Sequence, residues 1–397
     1  MTVNEILENM DLENEIIAIR RTLHQNPCVS EHEEETVKFL ASKLDELGIA
    51  YEIILDGCSI VATLEGGKPG PVVGVRGDID ALPIKEETGL PFASKKEGIM
   101  HACGHDAHAA ILLGTAKVLA SMKEELSGTV KFFFQPAEES IGGAQRMIAA
   151  GCLENPHVDY VVGLHVSPLF KAGEIGVKYG KGYAASDMID IRIRGKSSHG
   201  AHPDKGVDAI IVAANILNTI QTVVSRRVAP EESAVCSFGK IVGGTVRNQI
   251  ADTVTLNGII RTLDPKQRVF VREQVQKIAE SVASAMGGEA EFILMESYGP
   301  LMNNDAVVEV VEKNAIQLLG KENVIREKNP NLGTEDFSYF ALERPACFFH
   351  LGCYNEKMGE RVDLHNCRFN IDESCLKIGV AMQVKNVLSL LNGEAKE

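Results

Sequence analysis

The sequence predicts an α/β fold with a mainly parallel sheet, interrupted by a smaller α+β segment. Three observations predict it. Strand and helix patterns alternate through residues 51–165. Short unbroken apolar runs, such as Val72-Val73-Gly74-Val75, suit strands buried on both faces. From about Ala184 to Glu296 the order changes to β-α-β-β-α-β, and α/β character then resumes.

The elements follow in order. Residues 12–24 read as a helix with Ile16, Ile17, Ile19 and Leu23 as its apolar positions, stopped by Pro27. Residues 33–47 carry Val37, Leu40, Leu44 and Leu47 at helical spacing, and Gly48 ends that helix. Strand patterns occupy 51–55, 59–64 and 71–76. A helix over 107–121, a strand over 129–135, a helix over 142–150 and a strand over 158–164 ending in His165 come next. Residues 187–194 alternate, with Ile189, Ile191 and Ile193 on one face. A helix over 206–224, strands over 233–242 and 253–262, a helix over 265–285 and a strand over 289–295 complete a unit of ferredoxin-like order. A helix over 305–319, a mixed segment around 348–351 and a C-terminal helix over 373–391 follow. The predicted division is 1–184 for the first part of the main domain, 185–296 for the insert and 297–397 for the second part.

Composition narrows the function. At 397 residues, the chain exceeds one ordinary core. With 45% hydrophobic and 24% charged residues it reads as globular rather than disordered. A net charge of −15 and no basic cluster argue against a nucleic-acid partner. The first 14 residues are acidic and polar, unlike a secretory signal, and no apolar stretch approaches the roughly 20 residues of a membrane span. Nine irregularly spaced cysteines suit a reducing cytoplasm better than a disulfide framework.

The densest chemical signal is His101-Ala102-Cys103-Gly104-His105-Asp106-Ala107-His108. These are soft or borderline donors at metal-ligand spacing, and without a Cys-x-x-Cys partner they point to an open site. Gln135-Pro136-Ala137-Glu138-Glu139 follows a buried strand; it is either a metal- and substrate-facing acid pair or a solvated turn opening a helix. His165 ends the next strand, and His365 lies in the polar turn Asp363-Leu364-His365-Asn366. Asp78 and Asp80, after the central strand, either orient a metal ligand or cap the turn. A serine hydrolase is disfavoured because no Gly-x-Ser-x-Gly elbow occurs.

Together these segments resemble the amidohydrolase branch of the di-zinc aminoacylase and carboxypeptidase metallopeptidases, which includes hippurate and auxin-conjugate hydrolases. The resemblance runs over nearly the whole chain: Arg76 to Pro83, His101 to Asp106, Pro136 to Glu139, Gly163 to His165, Gly195 to His199, Gly333 to Phe337 and Leu364 to Asn366. It implies a di-metal peptidase-like catalytic domain with an inserted lid or dimerisation domain. It implies five metal ligands, Cys103, His105, Glu139, His165 and His365, with Cys103 standing where other branches carry a bridging aspartate. Glu138 matches the general base, and His199 a histidine that polarises the scissile carbonyl, often across a dimer. Broader relatives carry His-x-Asp where this chain has Arg76-Gly77-Asp78, which leaves the catalytic role of Asp78 open. Asn248, Arg261 and Gly333 are substrate-binding candidates; for Asn248 and Arg261, plain surface solvation is the alternative.

The expected function is hydrolysis of the amide bond of small N-acyl-L-amino acids by a cytoplasmic enzyme, a homodimer or other homo-oligomer, with two divalent ions. Zinc or manganese is expected, with cobalt or nickel as alternatives. A dipeptidase or carboxypeptidase is the rival within enzymes, and a non-catalytic metal-binding scaffold the rival outside them.

Overall fold

The computed structural model describes residues 3–395. It divides into two compact units. The first comprises the chain up to Gly180, Asn303–Asn329 and the chain from Tyr339 onward; the second comprises Lys181–Met302 and Pro330–Ser338.

The first unit is built on an eight-stranded sheet. Its strands lie in the order Ala50–Ile54, Ser59–Glu65, Ser127–Gln135, Lys68–Asp78, Tyr160–Lys171, Ala346–Tyr354, Ile175–Val177, Val324–Arg326. The four central strands, from Ser127–Gln135 to Ala346–Tyr354, are mutually parallel. Being buried on both faces they are apolar without alternation, as Phe132-Phe133-Phe134 shows. Each such buried side chain stabilises the fold by roughly 1.5–3 kcal/mol. Phe133 stacks on Phe340 with centroids 5.3 Å apart. Helix His105–Ser121 is buried on nearly every side and packs against helices Met10–Gln25 and Ser374–Leu391.

Two details differ from the sequence reading. The strand predicted over 158–164 runs Tyr160–Lys171, so His165 lies within it. Pairing with the neighbouring strand carries it on, with His350 opposite His165 and Tyr354 opposite Lys171. Two helices of about the expected length are also apolar enough to cross a membrane by length and composition alone: Ala209–Arg227, 19 residues with its last π-helical turn included, and Ser374–Leu391, 18 residues. The latter is mostly buried in the core of its unit.

The second unit has the expected β-α-β-β-α-β order. Its antiparallel sheet runs Ala234–Gly243, Thr253–Thr262, Ala185–Arg194, Glu289–Glu296. Ile189, Ile191 and Ile193 form one buried core with Val212, Ile216 and Ile220 of helix Ala209–Thr222 and Val271 and Val275 of helix Pro265–Ala285. Asp208 and Asp264 cap the two helices by accepting their first free N–H groups.

Candidate metal centre

The parallel strands deliver the site from their C-terminal ends, as this architecture generally does. Lys68–Asp78 ends on Asp78, in register with Gln135, and the chain after each strand supplies an acid: Asp80 after the first, Glu138 and Glu139 after the second. Cys103 and His105 flank the start of helix His105–Ser121. Between them Gly104 adopts φ +87°, and a Cβ there would lie 2.4 Å from Val166 Cγ2.

The five predicted ligands, all in the first unit, form two overlapping groups. Cys103, His105 and His165 have donor atoms within 4.8 Å of one another, as do Cys103, Glu139 and His365. Cys103 is common to both. Glu138 joins His105 and Glu139 in a third such group. His365 Nε2 lies 3.0 Å from Glu139 Oε1, and its backbone, at φ +61°, is held by an N–H bond to Ala102 O.

Hydrogen bonds decide which ring nitrogens face the cluster. His105 Nδ1 lies 3.0 Å from Asp80 O and 3.1 Å from Asp80 Oδ1, so it donates there and Nε2 is the nitrogen turned toward the cluster. His165 Nδ1 donates to Val166 O at 2.7 Å, which leaves its Nε2 3.4 Å from Cys103 Sγ. His108 is different. Its Nδ1 bonds to Asp78 Oδ1 and its Nε2 accepts the Val166 N–H at 2.9 Å, so neither nitrogen is available to an ion. His101 is buried with no hydrogen-bond partner at either nitrogen among the described residues, and burial holds its pKa down at about 4.

The electrostatics favour cations. Burial alone would raise the Asp78 pKa, but the Arg76 guanidinium, 2.6 Å away, with His105 and His108, holds it well below the usual carboxylate range. Burial likewise works against Asp80, whose bond to His105 outweighs it and keeps its pKa low. Burial would lower the His105 pKa, yet the charge of Asp78 with Cys103 and Asp80 lifts it well above normal. Burial and the Glu139 charge push the Cys103 thiol up. The His365 pKa is raised by its bond to Glu139. A divalent ion would displace the Cys103 thiol proton and the proton on His105 Nε2 and meet the Glu139 carboxylate. Among the described residues the buried Nε2 of His105 has no hydrogen-bond partner, as a ligand nitrogen requires. The residues therefore fit metal binding.

The acid beside His105 Nδ1 is Asp80, while Asp78 is committed to Arg76 and His108 with its Oδ2 3.5 Å from His105 Nε2. Two further contacts were not foreseen in the sequence: Ser30 Oγ donates to Asp80 Oδ2 at 2.7 Å, and Glu33 Oε1 accepts the Ala137 N–H at 2.9 Å. No local pattern in the sequence signals either.

The remaining candidates lie in the second unit. His199 is exposed, pairs in register with Gln249, and accepts the Ala201 N–H at Nδ1. It does not cap the following helix, which is the role of Asp208. Asn248 is exposed, and its carbonyl accepts the Gly200 N–H at 2.8 Å, placing the loops of His199 and Asn248 together. Arg261 has a buried Nη1 with no hydrogen-bond partner among the described residues. Gly333 is exposed and donates its N–H to Asn331 Oδ1.

Known proteins resemble the chain over most of its length. The chain is 38% identical to thermostable carboxypeptidase 2 of Saccharolobus solfataricus, covering 96% of each. It is 40% identical to N-acyl-L-amino acid amidohydrolase of Geobacillus stearothermophilus, covering 77% of this chain and 82% of the relative. The crystal structure of Bacillus subtilis YXEP, a dinuclear metal binding peptidase from the M20 family, superposes with a TM-score of 0.84 at 33% identity, covering 97% of this chain and 99% of that one. Residues 74–388 match peptidase family M20/M25/M40, and the chain belongs to that family of amide-bond hydrolases.

Proposed function

We propose that this hydrolase cleaves the amide bond of N-acyl-L-amino acids, of N-acetyl or N-benzoyl type, to a carboxylic acid and a free amino acid. The observation that carries the proposal is the placing of Glu138 within 4.8 Å of the donor atoms of His105 and Glu139. One acid of the pair serves as ligand and its neighbour as base. Cys103, His105, Glu139, His165 and His365 would hold two divalent ions, with zinc or manganese the best match to a mixed thiolate, imidazole and carboxylate set. Such ions supply an activated water, with a pKa lowered toward about 7, and polarise the carbonyl.

The chain's own groups do the rest. Glu138 takes the proton from the attacking water and returns it to the leaving nitrogen. Asp80 holds His105 in the tautomer that presents Nε2. Asp78 sets the charge of this region through Arg76 and His108. His199, Asn248, Arg261 and Gly333 are assigned to the substrate, with the unpartnered Nη1 of Arg261 suited to a carboxylate. Residues 185–296 are read as a lid and dimerisation domain. An edge strand, Ala234–Gly243, with Ile241 and Val242 exposed, invites a second copy of this chain. Nine unpaired cysteines suit the cytoplasm.

Carboxypeptidase or dipeptidase action is the second reading, supported by the likeness to the Saccharolobus enzyme. Hydrolysis of N-acetyl, N-benzoyl and dipeptide substrates, after chelation and reloading with zinc, manganese, cobalt or nickel, separates the two. Faster turnover of dipeptides than of N-acyl amino acids with every metal would overturn the first.

A further inference from the structure

Glu33 is an acid with no exposed surface, and it belongs neither to the ligand set nor to the general base. Its Oε1 accepts the Ala137 N–H at 2.9 Å, and Ala137 is the residue just before Glu138 and Glu139. Ala137 has φ +54°, a left-handed conformation that a non-glycine residue keeps only when its surroundings hold it. Its carbonyl is tied as well, accepting the Gly142 N–H at 3.0 Å. The bend at Ala137 aims the acid pair, and Glu33 grips its amide.

The same short segment grips the other half of the site. Ser30 Oγ donates to Asp80 Oδ2 at 2.7 Å. That oxygen also accepts the Glu139 N–H at 3.0 Å, while Asp80 Oδ1 faces His105. The segment is anchored beside Asp80 by a parallel bridge of Val29 to Ala81 and by the Ala81 N–H bond to Cys28 O. Resting on the metallohydrolase reading above, we propose that residues 28–33 form a clamp in which Glu33 and Ser30 are positioning residues, Glu33 fixing the Glu138–Glu139 turn and Ser30 fixing Asp80. Neither belongs to the residues assigned to metal or substrate. An apolar side chain would fill the Glu33 position without the cost of burying a carboxyl, so the contact rather than the volume accounts for it. Burial, with the charge of Asp80, pushes the Glu33 carboxyl up to about 7.

The test compares Glu33→Ala, Glu33→Gln and Ser30→Ala with the parent enzyme. Turnover of an N-acyl amino acid, the affinity of the chelator-stripped protein for Co²⁺, and Tm are measured on each. Glu33→Ala should lower both kcat and Co²⁺ affinity by about 10–100-fold, the usual effect of losing an outer-shell support, with KM within about threefold. Glu33→Gln keeps an acceptor oxygen and should stay within about threefold of the parent in kcat and Co²⁺ affinity, which a purely electrostatic role would not allow. Ser30→Ala should weaken Co²⁺ binding in the same direction. If Glu33→Ala does not fold, Glu33→Asp takes its place, since the shorter arm withdraws the acceptor. A folded Glu33→Ala or Glu33→Asp with parental kcat and Co²⁺ affinity overturns the proposal. So does a Glu33→Gln as impaired as Glu33→Ala. Failure of the functional reading itself looks different: the parent would bind no Co²⁺ and hydrolyse no N-acyl amino acid.

Discussion

Asp80 faces His105 with both its backbone and its side chain: the carbonyl oxygen lies 3.0 Å and Oδ1 3.1 Å from the same ring nitrogen. That double contact leaves one tautomer and one ring orientation. Asp80→Ala should therefore cost about 10–100-fold in metal affinity and a similar factor in turnover, measured by titrating stripped protein with Zn²⁺ or Co²⁺. Asp78→Ala should behave differently. It removes the carboxylate that balances buried Arg76, so stability falls first, by roughly 3–5 kcal/mol. Equal loss of metal affinity at unchanged Tm in both variants would contradict this division.

Glu138→Gln should retain metal and Tm but lose roughly 10²–10⁴-fold in kcat, the usual contribution of a general base. Metal analysis and a melting curve on the assayed sample make the result interpretable. Turnover near that of the parent would remove Glu138 from the mechanism.

His199→Ala tests a side chain in the second unit. The ring is exposed and accepts only the Ala201 N–H among its described hydrogen bonds, so stability should change by no more than about 0.5 kcal/mol. If His199 stabilises a developing oxyanion, kcat falls by roughly 10²-fold with metal content unchanged. Unaltered turnover per metal-loaded molecule excludes that role.

Asp187 gives a pH prediction. It is buried beside Arg268 and Arg272, with Arg268 Nη2 2.7 Å from Oδ1 and Arg272 Nε 2.7 Å from Oδ2. Burial would raise its pKa, but the bonds from Arg272 and Arg268 outweigh this and lower it. A depressed folded-state pKa adds stability above the unfolded value, near 3.9, and that stability is lost as pH falls through the folded value. Asp187→Asn should therefore lower Tm at pH 7, and the gap from the parent should narrow steadily below about pH 4. A gap of constant size down to pH 2 would show that the charge is not responsible.

Much of this was legible because local chemistry and tertiary role coincide. Helix Pro265–Ala285 and helix Asp305–Leu319 lie over the residues that their apolar spacing indicates, and the structure adds their caps, Asp264 and Asn304. The spacing of Cys103 and His105 points to a metal site before any folding is considered, whereas the roles of Glu138 and Glu139 come only with the family resemblance. What could not be read depends on distant partners. Asp78 and Asp80 look alike along the chain, and only the folded chain gives one to Arg76 and the other to His105. Ser30 meets Asp80 across 50 residues and Glu33 meets Ala137 across 104, so nothing nearby in sequence identifies either. Strand Tyr160–Lys171 outruns its apolar pattern because its length is set by the neighbouring strand.

Gly104 sets a limit on how this centre can be diversified. At φ +87°, with room for only a hydrogen before Val166, the position between Cys103 and His105 admits no side chain. A library randomised over residues 103–105 and selected for activity should return glycine at its middle codon whatever emerges on either side. Attempts to retune metal preference must therefore work through the donor atoms themselves, because the bend that presents them tolerates no variation.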